Sequence, residues 1–319
     1  ENPEFVNAYF EYLHHPQEAE GIDFWWMDWQ QGNPSRLGGL NLLWWINHLH
    51  YLDAGRDPGK RSFLFSRWGG LGNHRYPIGF SGDTVVTWDS LAFQPYMTAT
   101  AANVGYSWWS HDIGGHMGGT EDGELYTRWV QYGAFSPILR LHSTKNPHQE
   151  RRPWGFDANT AEAAGQAMVL RHRLIPYLYS MAWKDHQEGL PLVRPLYHLE
   201  PERDEAYASP NVYTFGTELL AAPFTTPMEA HVAMIQTLVA AVQRGEIPVE
   251  RVDQSVRRIL RVKYAYGLFE LPATLDLSEV GSPERQAIAD EIALQAVTVL
   301  RNDSGDIPLP APPARLLLV

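Results

Sequence analysis

The chain has 319 residues, 44% of them apolar, and a formal net charge of −12, so it holds one large domain or two ordinary ones and offers no basic surface to neutralise phosphates. That balance excludes nucleic acid as a partner and gives no attraction to an anionic membrane surface. With no cysteine, disulfides, thiolate metal sites and cysteine nucleophiles are ruled out together, which fits a cytoplasmic protein.

No apolar run reaches the length of about 18 residues that spans a membrane, and residues 1–5 lack the basic start of a signal peptide. Residues 6–19 read as a helix running into Gly21, after which residues 22–28 read as a buried strand. Strand-length apolar runs recur at 63–68, 78–81, 105–110 and 138–142, with helix-like stretches at 40–52, 90–103 and 124–135 between them. Strand and helix in alternation predict parallel βαβ units. The predicted strands end in polar residues: Asp28, Arg67, Asp83, His111 with Asp112, and Arg140 with His142. A β/α barrel places its active site at the carboxyl ends of its strands, and this pattern predicts one. A doubly wound sheet would call for a Gly-rich phosphate turn, and Gly69-Gly70-Leu71-Gly72 opens no convincing helix.

Residues 160–187 read as one long helix. Short β-like runs at 212–215 and 219–224 then predict the start of an antiparallel β domain. From Glu229 an amphipathic helix runs to Gly245, another covers 249–266 before Gly267, and a third begins at Ser282-Pro283, ahead of a Pro-rich linker at 308–313. The expected class is therefore α/β: a partial TIM-type (β/α) barrel over 1–190, the start of a β-sandwich over 191–228, and a mainly helical tail over 229–319.

Twelve Trp and fifteen Tyr are a heavy aromatic load, and several Trp stand beside the polar strand ends. Aromatic faces next to carboxylates suit sugars, whose C–H faces stack on rings, although Trp residues fill cores equally well. Hydrolysis of a glycoside needs two carboxyl groups. Asp28 ends an apolar strand between Trp26 and Trp29, the position of a nucleophile or of a simple cap on the next helix. Asp83, behind Gly82, ends another strand and reads either as the acid/base partner or as a turn. Asp23, earlier on the first strand, reads as structural. An arginine beside a carboxylate favours its charged form, and Arg67 and Arg140 are placed for that. The thirteen His show no catalytic-zinc spacing, and no G-x-S-x-G elbow is present, so neither a metal, a cofactor nor a serine nucleophile is expected.

These residues resemble glycoside hydrolase family 31 over about residues 5–226. The resemblance rests on Trp26-Met27-Asp28, on Ser66-Arg67-Trp68 followed by Phe80-Ser81-Gly82-Asp83-Thr84, on His111-Asp112-Ile113-Gly114-Gly115, and on Arg128-Trp129-Val130-Gln131 leading through Phe135-Ser136-Pro137 to Arg140-Leu141-His142. It implies a retaining α-glycosidase, an α-glucosidase first among the versions, with Asp28 as nucleophile and Asp83 as acid/base. It further implies that Trp26, Arg67, Trp68, Trp109, Asp112 and His142 bind the sugar.

The wording after the nucleophile, Trp29-Gln30-Gln31, departs from the commonest family version and leaves the sugar open. The chain also starts about 20 residues before the nucleophile strand, so roughly the first three strands of the family's barrel are expected to be missing. Residues 235–269, with Arg251-Val252-Asp253 and Arg257-Arg258-Ile259-Leu260, and the stretch from Ala296 to Leu309 resemble glycoside hydrolase family 3, without its nucleophile motif. The chain thus reads as a join of two hydrolase segments. The alternative function is a catalytically incomplete carbohydrate-binding or structural fragment; a β-glycosidase following the tail would lack its catalytic residues.

Overall fold

The computed structural model describes residues 2–28, 35, 37–67, 71–76 and 78–265. Residues 1–237 and 238–319 form two compact units. Trp68 and the sequence from 266 onward, including the third tail helix and the linker, lie outside the described residues.

The first unit begins with helix α1 (Pro3–Tyr9), capped by the Asn2 side chain accepting from Glu4 N–H, which passes through a π turn into α2 (His15–Ala19). Strand β1 (Trp25–Met27) follows, then α3 (Leu42–Ala54), β2 (Leu64–Arg67) and β3 (Ile78–Phe80). Helix α4 (Trp88–Thr100), β4 (Trp109–Ser110) and α5 (Gly123–Ala134) complete the alternation. The four strands are parallel in the order β1-β2-β3-β4, and isolated parallel bridges Ser110–Ile138 and Ile113–Leu141 continue the sheet through the 138–142 segment. The helix starts follow side-chain capping, since Asn41, Thr87 and Asp122 each accept backbone N–H groups of the first turn.

The register sorts side chains onto two faces. Trp26 pairs with Phe65, Arg67 with Phe80, and Phe80 with Ser110, so these residues share one face. Met27, Ser66, Gly79 and Trp109 share the other. On that second face Ser66 Oγ donates to Asn47 of α3 (2.7 Å), and Gly79 gives way to the Tyr106 ring, which a Cβ would meet at 2.4 Å.

The single long helix expected at 160–187 is two, α6 (Ala158–Arg173) and α7 (Ile175–Glu188). Pro176 has no N–H to donate and its ring crowds the carbonyl four residues back, so the chain restarts at Leu174 with proline in the first turn of α7. A separate antiparallel sheet joins β5 (Val193–Pro195), β6 (Tyr213–Phe215) and β7 (Leu219–Ala221), with α8 (Asp204–Ala208) between the first two. Trp129, Tyr132, Ile113, Tyr213 and Phe215 belong to one buried cluster beneath these elements. Helix α9 (Met228–Gln243) and, after the left-handed Gly245 (φ +75°), helix α10 (Val249–Ala265) follow. Among the described residues no helix is long and apolar enough to cross a membrane.

Candidate active site

The site is built on the face of the parallel sheet that carries Trp26. Asp28 follows β1, Arg67 ends β2, Asp83 follows β3, and Asp112 follows β4. Because side chains alternate along a strand, Trp26 and Asp28 fall on one side of β1, two residues apart.

Arg67 is shared between two carboxylates: its Nε donates to Asp28 Oδ1 at 2.7 Å and an Nη to Asp83 Oδ1 at 3.2 Å. Gly82 makes this possible. Its φ of +91° turns the chain after β3, and a Cβ there would meet the Arg67 guanidinium at 2.9 Å.

Asp112 is fully buried and fully partnered. Its Oδ1 accepts from Arg140 (2.6 Å) and from His142 Nδ1 (2.9 Å), and its Oδ2 accepts from Thr84 N–H (3.2 Å). The Arg140 guanidinium also donates to Ser110 Oγ (2.9 Å) and lies over the rings of Phe80, Phe65 and Trp26, at 4.5, 5.1 and 5.3 Å. Burial pulls its pKa below the ordinary arginine value, against the opposing pull of Asp112. Trp26 is 40% exposed and touches His142 ring to ring at 5.2 Å, so an open aromatic surface sits beside the carboxylates.

His116 is the residue that the sequence reading passed over. Gly114 (φ +89°) and Gly115 (φ +82°) turn the chain back, and His116 N–H bonds Thr84 O at 2.6 Å. Its imidazole then lies between Asp83 Oδ1, 3.7 Å from Nε2, and His142 Nδ1, 3.0 Å from its own Nδ1. Burial, and then the neighbouring His142, lower its pKa below the ordinary histidine value. The available signal was a polar ring directly behind two glycines in the Asp112 motif.

Of the residues expected to bind sugar, Trp26, Arg67, Asp112 and His142 therefore converge with Asp28 and Asp83. Trp109 does not join them. It lies on the opposite face of β4, 3% exposed, edge-on to Tyr106 at 5.1 Å. Trp68 lies outside the described residues. His111 is wholly buried beneath the site; Trp129 Nε1–H donates to its Nδ1 (3.2 Å), its Nε2 faces Ser136 Oγ (2.8 Å), and burial takes its pKa down to about 3.

The chain belongs to glycosyl hydrolase family 31, whose TIM-barrel domain matches residues 1–181. Neutral alpha-glucosidase C of Mus musculus is 35% identical over 176 residues, 55% of this chain and 19% of that protein. The 1,3-alpha-isomaltosidase of Kribbella flavida is 34% identical over 230 residues, 66% of this chain and 30% of that protein. Among solved structures, the cycloalternan-degrading enzyme from Trueperella pyogenes in complex with a covalent intermediate superposes with a TM-score of 0.64 at 25% identity, covering 71% of this chain and 34% of that one. The chain thus spans between about a fifth and a third of the length of these relatives.

Proposed function

We propose that this chain carries the active site of a retaining α-glycosidase that removes terminal α-linked sugars, an α-glucosidase in its simplest version. The observation that carries this reading is the single arginine held between two strand-end carboxylates, Asp28 and Asp83, beside the exposed ring of Trp26.

A carboxylate oxygen of Asp28 attacks the anomeric carbon, and the glycosidic C–O bond breaks as Asp83 gives its proton to the leaving oxygen. A water then enters, Asp83 takes its proton, the new oxygen bonds the anomeric carbon, and the glycosyl ester to Asp28 breaks. Asp112, His142 and Arg67 hold sugar hydroxyls, and Trp26 stacks on a C–H face of the ring. The covalent intermediate in the Trueperella pyogenes structure and the alpha-glucosidase and isomaltosidase names of the relatives support this chemistry.

The reading extends to organisation: a barrel portion over 1–190, a β-sandwich start over 191–228, and a family-3-like tail over 229–319. The β5-β6-β7 sheet and the successive helices α9 and α10 support the last two divisions.

The test is hydrolysis of nitrophenyl α- and β-glycosides by the whole chain, beside Asp28→Asn and Asp83→Asn. The α-glycoside signal is expected to vanish in Asp28→Asn, while Asp83→Asn keeps turnover on aryl groups that leave without a proton. Silence of the unaltered chain across the panel would instead favour the incomplete, carbohydrate-binding reading.

A further inference from the structure

The two imidazoles of the site face each other in an unusual way. His142 Nδ1 lies 2.9 Å from Asp112 Oδ1 and 3.0 Å from His116 Nδ1. Asp112 as a carboxylate only accepts, so the His142 Nδ1–H is committed to it. His116 Nδ1 must then present a lone pair to the same proton, leaving its own N–H on Nε2, toward Asp83 Oδ1 at 3.7 Å. One nitrogen lone pair, on His116, and two carboxylates therefore converge around the proton on His142 Nδ1.

That arrangement has the composition and size of a metal site. Asp83, Asp112, His116 and His142 each offer one donor atom, and the four atoms all lie within 4.8 Å of one another. In a tetrahedral zinc site with bonds of about 2.0–2.2 Å the ligands stand roughly 3.4 Å apart, against 2.9 Å and 3.0 Å from His142 Nδ1 to Asp112 and to His116, and at most 4.8 Å between any two of the four donors. Imidazole with carboxylate is the donor set of borderline divalent cations, whereas magnesium prefers oxygen alone. Asp112 is already oriented by Arg140 and by Thr84 N–H, the kind of outer hydrogen bonding that holds a ligating carboxylate in place.

We propose that Asp83, Asp112, His116 and His142 form an inhibitory binding site for a zinc-class divalent cation, which takes the place of the proton on His142 Nδ1 as that proton passes through solvent to Nε2, and which excludes the sugar. This rests on the glycosidase reading for what the cation inhibits, but not for its binding. The cation occupies the acid/base carboxyl and the groups assigned to sugar hydroxyls, so cation and substrate compete.

The experiment is calorimetric titration of the whole chain with Zn2+ and with Mg2+, together with the visible absorption of the Co2+ form. One equivalent of Zn2+, a four-coordinate Co2+ spectrum and no Mg2+ uptake are expected. Affinity should fall at least about tenfold in His116→Ala and in Asp112→Asn. His116→Gln, close to histidine in volume, supplies the same comparison if the alanine variant loses its fold by circular dichroism. Absence of Zn2+ uptake, equal Mg2+ uptake, or Zn2+ affinity unchanged in folded variants would overturn the proposal. Hydrolysis measured in chelator separates the two readings: turnover without Zn2+ binding sinks the cation site alone, and Zn2+ binding without turnover sinks the glycosidase alone.

Discussion

Arg67 Nε lies 2.7 Å from Asp28 Oδ1, and the same guanidinium reaches Asp83 at 3.2 Å. Three successive strands thus contribute to one planar cation, whose rigid fork sets the placement of both carboxylates. Arg67→Lys keeps the charge but presents a single point on a flexible stem. Its kcat/KM on aryl α-glycosides is expected to fall by about 10²-fold with the circular dichroism unchanged, the penalty of misplaced reacting groups. Full activity in the lysine variant would show that the fork is dispensable.

Gly82→Ala tests the same contact from the other side. A left-handed non-glycine residue costs roughly 1–2 kcal/mol, and here the added carbon would also meet the guanidinium at 2.9 Å. Urea denaturation should show a loss of at least about 1 kcal/mol, accompanied by a fall in kcat. A stable variant with native turnover would mean that the turn after β3 can relax without moving Arg67.

Asp112 and Arg140 form the most buried ion pair of the site, 0% and 17% exposed. Removing one partner of such a pair strands the other charge, at a cost of about 3–5 kcal/mol. Asp112→Ala should lose that much stability in chemical denaturation, and Asp112→Ala with Arg140→Met should recover part of it. A double variant as unstable as the sum of the singles would deny the coupling.

His111 predicts a pH effect on stability. Its ordinary pKa of 6.5 falls to about 3 in the fold, through burial first and the Arg140 charge second. Between these values the unfolded chain binds a proton that the folded chain refuses, so stability rises with pH across this window. The contribution is complete above 6.5 and is lost as pH falls toward about 3. Thermal unfolding of His111→Gln should therefore depend less steeply on pH over that window than unfolding of the parent chain. Parallel curves would place the acid sensitivity elsewhere.

Much of this site can be read in one dimension because strand ends project their side chains to one rim. Asp28, Arg67, Asp83, Asp112 and His142 announce themselves as polar residues closing apolar runs. Trp109 shows the limit of that reasoning. It too stands near a strand end, but the pairing of Gly79 with Trp109 and of Phe80 with Ser110 gives Ser110, not Trp109, to the face of Arg140. An apolar run such as 105–110 does not disclose which of its residues points to which side, and pairing decides it. His116 was hidden for a different reason: it belongs to no strand, and only the paired left-handed glycines before it bring its ring to Asp83. The break between α6 and α7, by contrast, is written in Pro176.

The loops that follow β3 and β4 are sewn together. Thr84 N–H reaches the Asp112 carboxylate, Thr84 O receives the N–H groups of both His116 and Met117, and Val86 N–H returns to Met117 O. A Cβ on Gly119 would collide with Val86 O, so even the exit of the second loop is held against the first. Any remodelling of the space around the departing group must therefore spare residues 84–86 and 112–119. New loop length disturbs the seam least just beyond it, at the exposed Thr120, since Glu121 next to it accepts from Glu150 N–H. An insertion there leaves the pair of loops to move as one piece.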